Sequence, residues 1–363
     1  MSKLIVNTGT LFAGGAERVL SILSTPFADS FDEVHYVMWL DAKYPEIFYE
    51  IDPRVKIVRV SEESGSAKVF NHVRWFRKYV RQENPDLVLS FMKKIGLASS
   101  ISLLFSGVKQ VISERNDPRA NKSKNLRRLI NLTYLLPDVK GIVMQTQANK
   151  DYFESDTIRN KTVVIYNPIL MSESYVGKSV SEKKRENIVS VGRLTKQKRF
   201  DVLIRAFSKF HKVHSSYKLY IFGEGEKRKE LEKLVDDLSL KNCVFLPGRS
   251  NNVLDLISNA KMFCMSSAFE GMSNALIEAM CVGLPCISTR VSGATDLIKD
   301  GDNGFLVDIG DEEAIADKMI ELSNDSELCN RMGEAASKTY QKLCAEVISK
   351  QWIDYLYKIV RES

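Results

Sequence analysis

The chain has 363 residues, 44% hydrophobic and 27% charged, an ordinary globular composition with length for two cores. No run of about 18 apolar residues offers a spanning helix, and six cysteines without a CxxC pair, with four scattered histidines, speak against zinc sites and disulfide frameworks. The net charge of +6 is uneven: residues 71–130 hold thirteen Lys or Arg against four Asp or Glu, and the remainder is slightly acidic.

Residues 1–16 are weakly signal-like, but Asn7, Thr8 and Gly9 interrupt the apolar core, so the segment reads as a first strand and loop. Gly14 and Gly15 stand between that strand and a helical pattern carrying Val19, Leu20, Ile22 and Leu23. A glycine pair there lets a backbone approach an anion, and a plain βα turn explains it equally well. Further strands are expected at 34–39, 55–60, 87–91, 111–113 and 141–145, with helices between several of them, including residues 66–82. The pattern breaks near Tyr166, Asn167 and Pro168, and a polar stretch follows. Alternation restarts at residues 188–191, with strands near 218–222, 244–246, 262–265, 285–288 and 305–307, and a last helix over about 345–361. Strands alternating with helices predict an α/β fold with doubly wound parallel sheets.

The second half is organised around residues 266–283, SSAFEGMSNALIEAMCVG. Glu270 and Glu278 stand eight positions apart, with Gly271 suited to a bend and Ser273 to a helix N-cap. Glu270 is therefore expected on a loop and Glu278 in the early turns of a helix. Amides and the positive helix end favour a phosphate between them, and two acids can accept hydrogen bonds from sugar hydroxyls. Two solvated surface glutamates are the plainer alternative. The flanking strands at 262–265 and 285–288 shift the balance, because such loops lie at the carboxyl ends of parallel strands, where open α/β sheets bind ligands.

This segment resembles the EX7E motif of the retaining glycosyltransferases of family 4, which have the GT-B fold. The resemblance implies two Rossmann-like domains facing across a cleft: residues 1–168 on the acceptor side, a linker at 169–186, a nucleotide-sugar domain at 187–344, and a terminal helix, 345–363, crossing back to the first. It implies that Glu270 lies nearest the transferred sugar and that Glu278 holds the ribose, with Gly271, Met272, Ser273 and Asn274 binding the donor between them. Arg193 and Lys198, after the strand at 188–191, match a basic pair that contacts the donor diphosphate. Fixed cations there stabilise the leaving nucleoside diphosphate and can replace a metal ion. Gly14 and Gly15 match the glycine loop facing the diphosphate, Gly223 a loop near the nucleotide, and Arg249 and Ser250 the loop that reads the base. Two departures stand out. Arg199 occupies a position usually held by glycine. The loop of Glu114, Arg115 and Asn116, on the acceptor or donor-sugar side, lacks the histidine many members carry, and Glu114–Arg115 equally fits a structural ion pair.

The DxD at Asp300 and Asp302 sits in a turn and reads as turn chemistry, so no metal site is expected and no cofactor beyond the donor. Lys122, Lys124, Arg127 and Arg128 accompany leucines, and Arg74, Arg77, Lys78 and Arg81 accompany Trp75, Phe76 and Tyr79. Such surfaces suit anionic lipid headgroups, although helices that merely pack one face on a sheet give the same pattern. Nucleic acid is not expected, since no recognisable module is present. The resulting expectation is a cytoplasmic enzyme peripheral to the inner membrane face. It moves a hexose or N-acetylhexosamine from a UDP-sugar to a hydroxyl of a polyprenyl-diphosphate-linked saccharide, for bacterial surface polysaccharide or glycan. UDP rather than GDP or ADP follows from the family alone. A nucleotide-sugar epimerase on the same architecture and a non-catalytic nucleotide-sugar binder are the alternatives.

Overall fold

The computed structural model describes residues 2–66, 68–120, 123–181, 186–250 and 252–361. Lys122 and part of the expected linker lie outside them. The chain divides into two compact units, Met1–Pro168 with Ala345–Ser363, and Ile169–Cys344.

In the first unit, the described strands are β1 (Lys3–Thr8), β2 (Glu33–Met38), β3 (Lys56–Arg59), β4 (Leu87–Phe91), β5 (Gln110–Ser113), β6 (Val139–Met144) and β7 (Thr162–Val164). They pair in parallel in the order β3-β2-β1-β4-β5-β6-β7. A parallel sheet is covered on both faces, which is why β4 reads LVLSF and is buried throughout. β7 is too short to give a periodic signal, and the sequence pattern does not reveal it. The helix Val69–Glu83 ends on Asn84, whose φ of 44° lies in the left-handed region. The helix Ala345–Arg361 packs on this unit: Trp352 is fully buried and stacks on Phe91 with ring centroids 5.7 Å apart.

In the second unit, the described strands are β8 (Asn187–Val191), β9 (Lys218–Phe222), β10 (Val244–Gly248), β11 (Met262–Met265), β12 (Cys286–Thr289) and β13 (Phe305–Val307). All pair in parallel, in the order β10-β9-β8-β11-β12-β13. The helix Phe200–His211 carries Phe200, Leu203, Ile204, Phe207 and Phe210 at helical spacing, and all five are buried in one core with Met319 and Leu322 of the helix Glu312–Asn324. Burying one such side chain stabilises by about 1.5–3 kcal/mol, so this stripe fixes how β8 and its following loop are presented.

Both sheets have a topological switch point, where strand order reverses and the following loops diverge to leave a crevice. It falls between β1 and β4 in the first unit and between β8 and β11 in the second. The Gly14–Gly15 loop follows β1. The Arg193–Lys198 loop follows β8, and the Glu270 loop follows β11.

Candidate active site

The helix Asn274–Cys281 starts because Ser273 caps it, its Oγ accepting from the Leu276 amide at 3.4 Å. It stops because Gly283 takes a φ of 80°, with the Leu284 amide donating to the Ala279 carbonyl and the Gly283 amide to the Met280 carbonyl. Glu278 lies inside this helix and is buried; Glu270 lies on the loop before it and is buried to its carboxylate edge. Gly271 is not in the left-handed region. The steric demand at this bend falls instead on Gly293, where a Cβ would stand 2.2 Å from the Gly271 carbonyl oxygen.

The loop after β8 is stitched to this one. The Lys198 ammonium lies 2.6 Å from Glu270 Oε1, which also accepts from Ser267 Oγ at 3.1 Å. The Ala268 amide donates to the Gln197 carbonyl at 2.8 Å, Gln197 Nε2 donates to the Phe269 carbonyl at 2.8 Å, and Ser266 Oγ donates to the carbonyls of Lys198 and Arg199 at 2.9 Å each. Thr289 Oγ1 holds the Ser267 carbonyl at 2.7 Å. Four hydrogen bonds between the two loops, one of them backbone to backbone, therefore set where the lysine and the acid meet. Gly192 leaves room for the arrangement, since a Cβ there would press on Lys198 Cε at 2.9 Å. Arg193 is exposed, and its guanidinium has no partner among the described residues. Arg199 adopts a φ of 50°, so the loop keeps the left-handed turn that glycine would favour despite its side chain.

The neighbouring loops close in by backbone contact. Gly223 has a φ of 142°, and a Cβ on it would lie 1.9 Å from the Gly192 carbonyl oxygen. Its amide donates to the Gly248 carbonyl at 2.8 Å, which brings the loop of Arg249 and Ser250 to the same edge. Arg249 is exposed, and Ser250 Oγ caps the Asn252 amide at 3.1 Å. Gly223 is thus required by the packing of the β8 and β9 loops. Asp300 is spent locally: one oxygen takes the Leu306 amide and the other pairs with Arg290, both at 2.9 Å.

In the first unit, Gly14 is extended and caps the helix Gly15–Ser30 without a side chain. Glu17, in the first turn, folds back over Gly14 and accepts from Thr10 Oγ1 at 3.0 Å, a placement the helix dipole favours. Glu114 and Arg115 do not pair with each other. Glu114 turns toward Lys93, 3.8 Å away, and Tyr134, whose hydroxyl donates to it at 3.3 Å. Arg115 lies over the Phe91 ring at 5.1 Å and donates to Asn167 Oδ1. Asn116 is exposed and holds the Asp117 amide at 2.9 Å. Burial pushes the Glu114 carboxyl up to about 7, against the opposing pull of Lys93. Ser267, Gln197, Gly293 and Lys93 are supporting residues that sequence reasoning missed. Gln197, Gly293 and Lys93 act across the fold, with no local spacing to mark them, whereas Ser267 stands three residues before Glu270.

Residues 171–339 match the family model described as glycosyl transferases group 1. The chain is 28% identical, over 99% of its own length and 99% of the relative's, to the Campylobacter jejuni GalNAc-alpha-(1->4)-GalNAc-alpha-(1->3)-diNAcBac-PP-undecaprenol alpha-1,4-N-acetyl-D-galactosaminyltransferase. It is also 28% identical, over 98% of its length and 100% of the relative's, to that organism's N-acetylgalactosamine-N,N'-diacetylbacillosaminyl-diphospho-undecaprenol 4-alpha-N-acetylgalactosaminyltransferase. Among solved structures, Anabaena HepE in complex with UDP and glucose superposes with a TM-score of 0.79 at 19% identity, covering 98% of this chain and 100% of that one, a likeness of fold. The two parallel-sheet, Rossmann-like units are those of GT-B glycosyltransferases. The chain is a glycosyltransferase, and residues 171–339 carry its match to group 1.

Proposed function

We propose that this glycosyltransferase belongs to family 4 and transfers a hexose or N-acetylhexosamine, with retention, from a UDP-sugar to a hydroxyl of a polyprenyl-diphosphate-linked saccharide during bacterial glycan or surface-polysaccharide synthesis. The observation that carries the proposal is the 2.6 Å approach of Lys198 to Glu270 at the switch point of the second sheet, with Arg193, its guanidinium unpartnered among the described residues, on the same loop. An anion held there meets two cations and the helix N-terminus capped by Ser273. Glu270 and Glu278 then accept from sugar hydroxyls. The UDP complex of HepE and the undecaprenyl-linked substrates in the names of the Campylobacter relatives favour the donor and acceptor classes.

In the proposed step, the bond between the anomeric carbon and the β-phosphate oxygen breaks, and its electron pair leaves with UDP. The acceptor oxygen bonds to that carbon on the same face, and its proton passes to the departing phosphate oxygen. Arg193 and Lys198 stabilise the charge that grows on the diphosphate, so the reading assigns no metal and no cofactor. Gly14, Gly15, Gly223, Arg249 and Ser250 remain donor-binding residues in this proposal.

The reading also places the enzyme at the inner face of the membrane. The helix Val69–Glu83 buries Phe76, Tyr79 and Val80 on its sheet, Arg77 donates to the Ser102 and Leu104 carbonyls, and Phe70 is left 70% exposed. The helix Lys124–Tyr134 likewise leaves Leu129 and Leu132 exposed, Leu132 to 61%, and Phe105, after the helix Lys93–Ser102, is 86% exposed. Lys124, Arg127 and Arg128 on the helix Lys124–Tyr134 suit anionic headgroups. No described helix is long and apolar enough to cross a membrane.

The test is UDP release by the purified chain given a UDP-sugar with and without an undecaprenyl-diphosphate-linked saccharide, and the anomeric configuration of the product by NMR. Acceptor-dependent release with an axial donor bond conserved supports the proposal. A released product without acceptor, or an inverted linkage, overturns it.

A further inference from the structure

Glu114 is a buried acid that the transfer step above does not use. It is 3% exposed and lies at the floor of a small pocket lined by Lys93, Arg127, Asn131, Tyr134 and Tyr152. The cavity is about 20 Å³, enough for one small polar group and too small for a sugar ring. Its wall comes from three elements: the helix Lys93–Ser102, the helix Lys124–Tyr134, and Tyr152 after the helix Gln147–Asp151. The buried end of Glu114 is committed, since Oε2 receives the Tyr134 hydroxyl at 3.3 Å. The carboxyl also draws on the backbone amides of Asn116 and Arg115, while Lys93 stands 3.8 Å from Oε1, beyond hydrogen-bond distance. The Asn131 amide has no side-chain partner among the described residues, and Arg127 only a long contact, 3.4 Å, to the Tyr152 hydroxyl. The pocket thus offers a carboxylate with accepting capacity left beyond Tyr134, Asn116 and Arg115, an amide without a side-chain partner among the described residues, and a cation.

We propose that this pocket seats a single hydroxyl or hydroxymethyl substituent of the acceptor sugar, which donates to Glu114 and accepts from Asn131, and so makes Glu114 a specificity-determining residue for the acceptor. The inference rests on the transfer reading given above. A substrate phosphate is the competing occupant by charge, because Lys93 and Arg127 are both cationic. Glu114 argues against it: an acid at the floor repels a phosphate but welcomes a hydroxyl. The two occupants predict opposite effects of removing the acid's charge.

The ionisable groups around Glu114 are Lys93, Arg127, Tyr134 and Tyr152, which line the pocket, and the adjoining Arg115. With the carboxyl held near 7, wild-type kcat/KM for the acceptor rises as pH passes through that value and Glu114 gains its charge. The experiment compares wild type, Glu114→Gln and Asn131→Ala for acceptor KM, UDP affinity and the pH profile, with melting temperature as the check on folding. The expected result is an acceptor KM raised about tenfold in both variants, from loss of a hydrogen bond to a charged group in one and to an amide in the other. UDP affinity is unchanged, and the limb near pH 7 disappears in Glu114→Gln. A lower KM in Glu114→Gln assigns the pocket to a phosphate, and an unchanged KM in both variants leaves it a structural cavity; either overturns the proposal. Titration of the free acceptor saccharide by NMR, without donor, separates the two levels of the account. Binding weakened in Glu114→Gln upholds the pocket even where no transfer is seen, whereas transfer with equal saccharide binding in both proteins removes the pocket alone.

Discussion

Lys198 and Glu270, far apart in sequence, meet at 2.6 Å because the loops after β8 and β11 exchange backbone and side-chain hydrogen bonds on either side of their contact. The pair is mostly shielded from solvent, so its attraction is screened less than that of a surface ion pair. On the proposed function, a donor diphosphate arriving here finds a lysine already held in place.

Lys198→Ala should therefore reduce kcat by about 10²–10³ while leaving the melting temperature within a few degrees, the scale of losing one stabilising donor at a developing charge. Steady-state UDP release measures the first and thermal unfolding the second. A loss below tenfold would remove Lys198 from the site.

Arg199 sits in the left-handed region with φ at 50°, a conformation that costs a non-glycine residue about 1–2 kcal/mol. Its ion pair with Asp201, at 3.1 Å, is half in solvent and returns little. Arg199→Gly should raise unfolding stability by up to about 1 kcal/mol after glycine's own entropy loss. Urea denaturation with an unchanged m-value would register it, and destabilisation would mean that the side chain holds the loop.

Gly223→Ala should act the other way. Its Cβ meets the Gly192 carbonyl at 1.9 Å and its φ of 142° is one L side chains avoid, so a loss of about 1–3 kcal/mol or more is expected from conformation and clash together. The same shift of Gly192 disturbs Lys198, and donor affinity should fall with stability. Stability lost with donor affinity intact would uncouple the two loops.

Glu114 gives a pH signature in stability. Its folded pKa of about 7 lies above the ordinary glutamate value of 4.5, so between those values the unfolded chain ionises first and stability falls as pH rises. Below pH 4.5 the penalty is absent, and above 7 it is complete, on the order of 3 kcal/mol. Glu114→Gln should be more stable than wild type at pH 8 and equal to it near pH 4.5. Equal stability at both pH values would show that the carboxyl is not held up by burial.

Leu132→Ser with Leu135→Ser and Arg128→Gln should weaken binding to vesicles containing anionic lipid, each basic residue near the surface contributing about 1 kcal/mol. Sedimentation with vesicles reads the change. Unchanged binding would remove the membrane surface from the account.

The sheets were legible because parallel strands buried on both faces leave near-continuous apolar runs, as in residues 87–91, broken only by Ser90, and 262–265. The Ser273 cap was legible for a similar local reason, a hydroxyl placed just before a helix-forming run. Glu114 was visible only as a departure from a motif; its orientation toward Lys93 depends on how the helix Lys93–Ser102 packs, which no spacing encodes. Gly271 lies at the expected bend without a left-handed backbone, and the room for it is made by Gly293 in the next helix, which no spacing marks. Which apolar residues stay exposed, Phe70 on the helix Val69–Glu83 and Leu129 and Leu132 on the helix Lys124–Tyr134, likewise follows from the face each turns to the sheet. Both have the same amphipathic pattern in sequence.

The most direct measurement is the affinity of UDP for wild type and for the Arg193→Ala, Lys198→Ala double variant by isothermal titration, at matched ionic strength. Removing two charge-assisted contacts should weaken UDP by at least tenfold while the fold, read by circular dichroism, is kept. Equal affinities in the two proteins would contradict the assignment of this lysine–glutamate meeting point to the donor diphosphate.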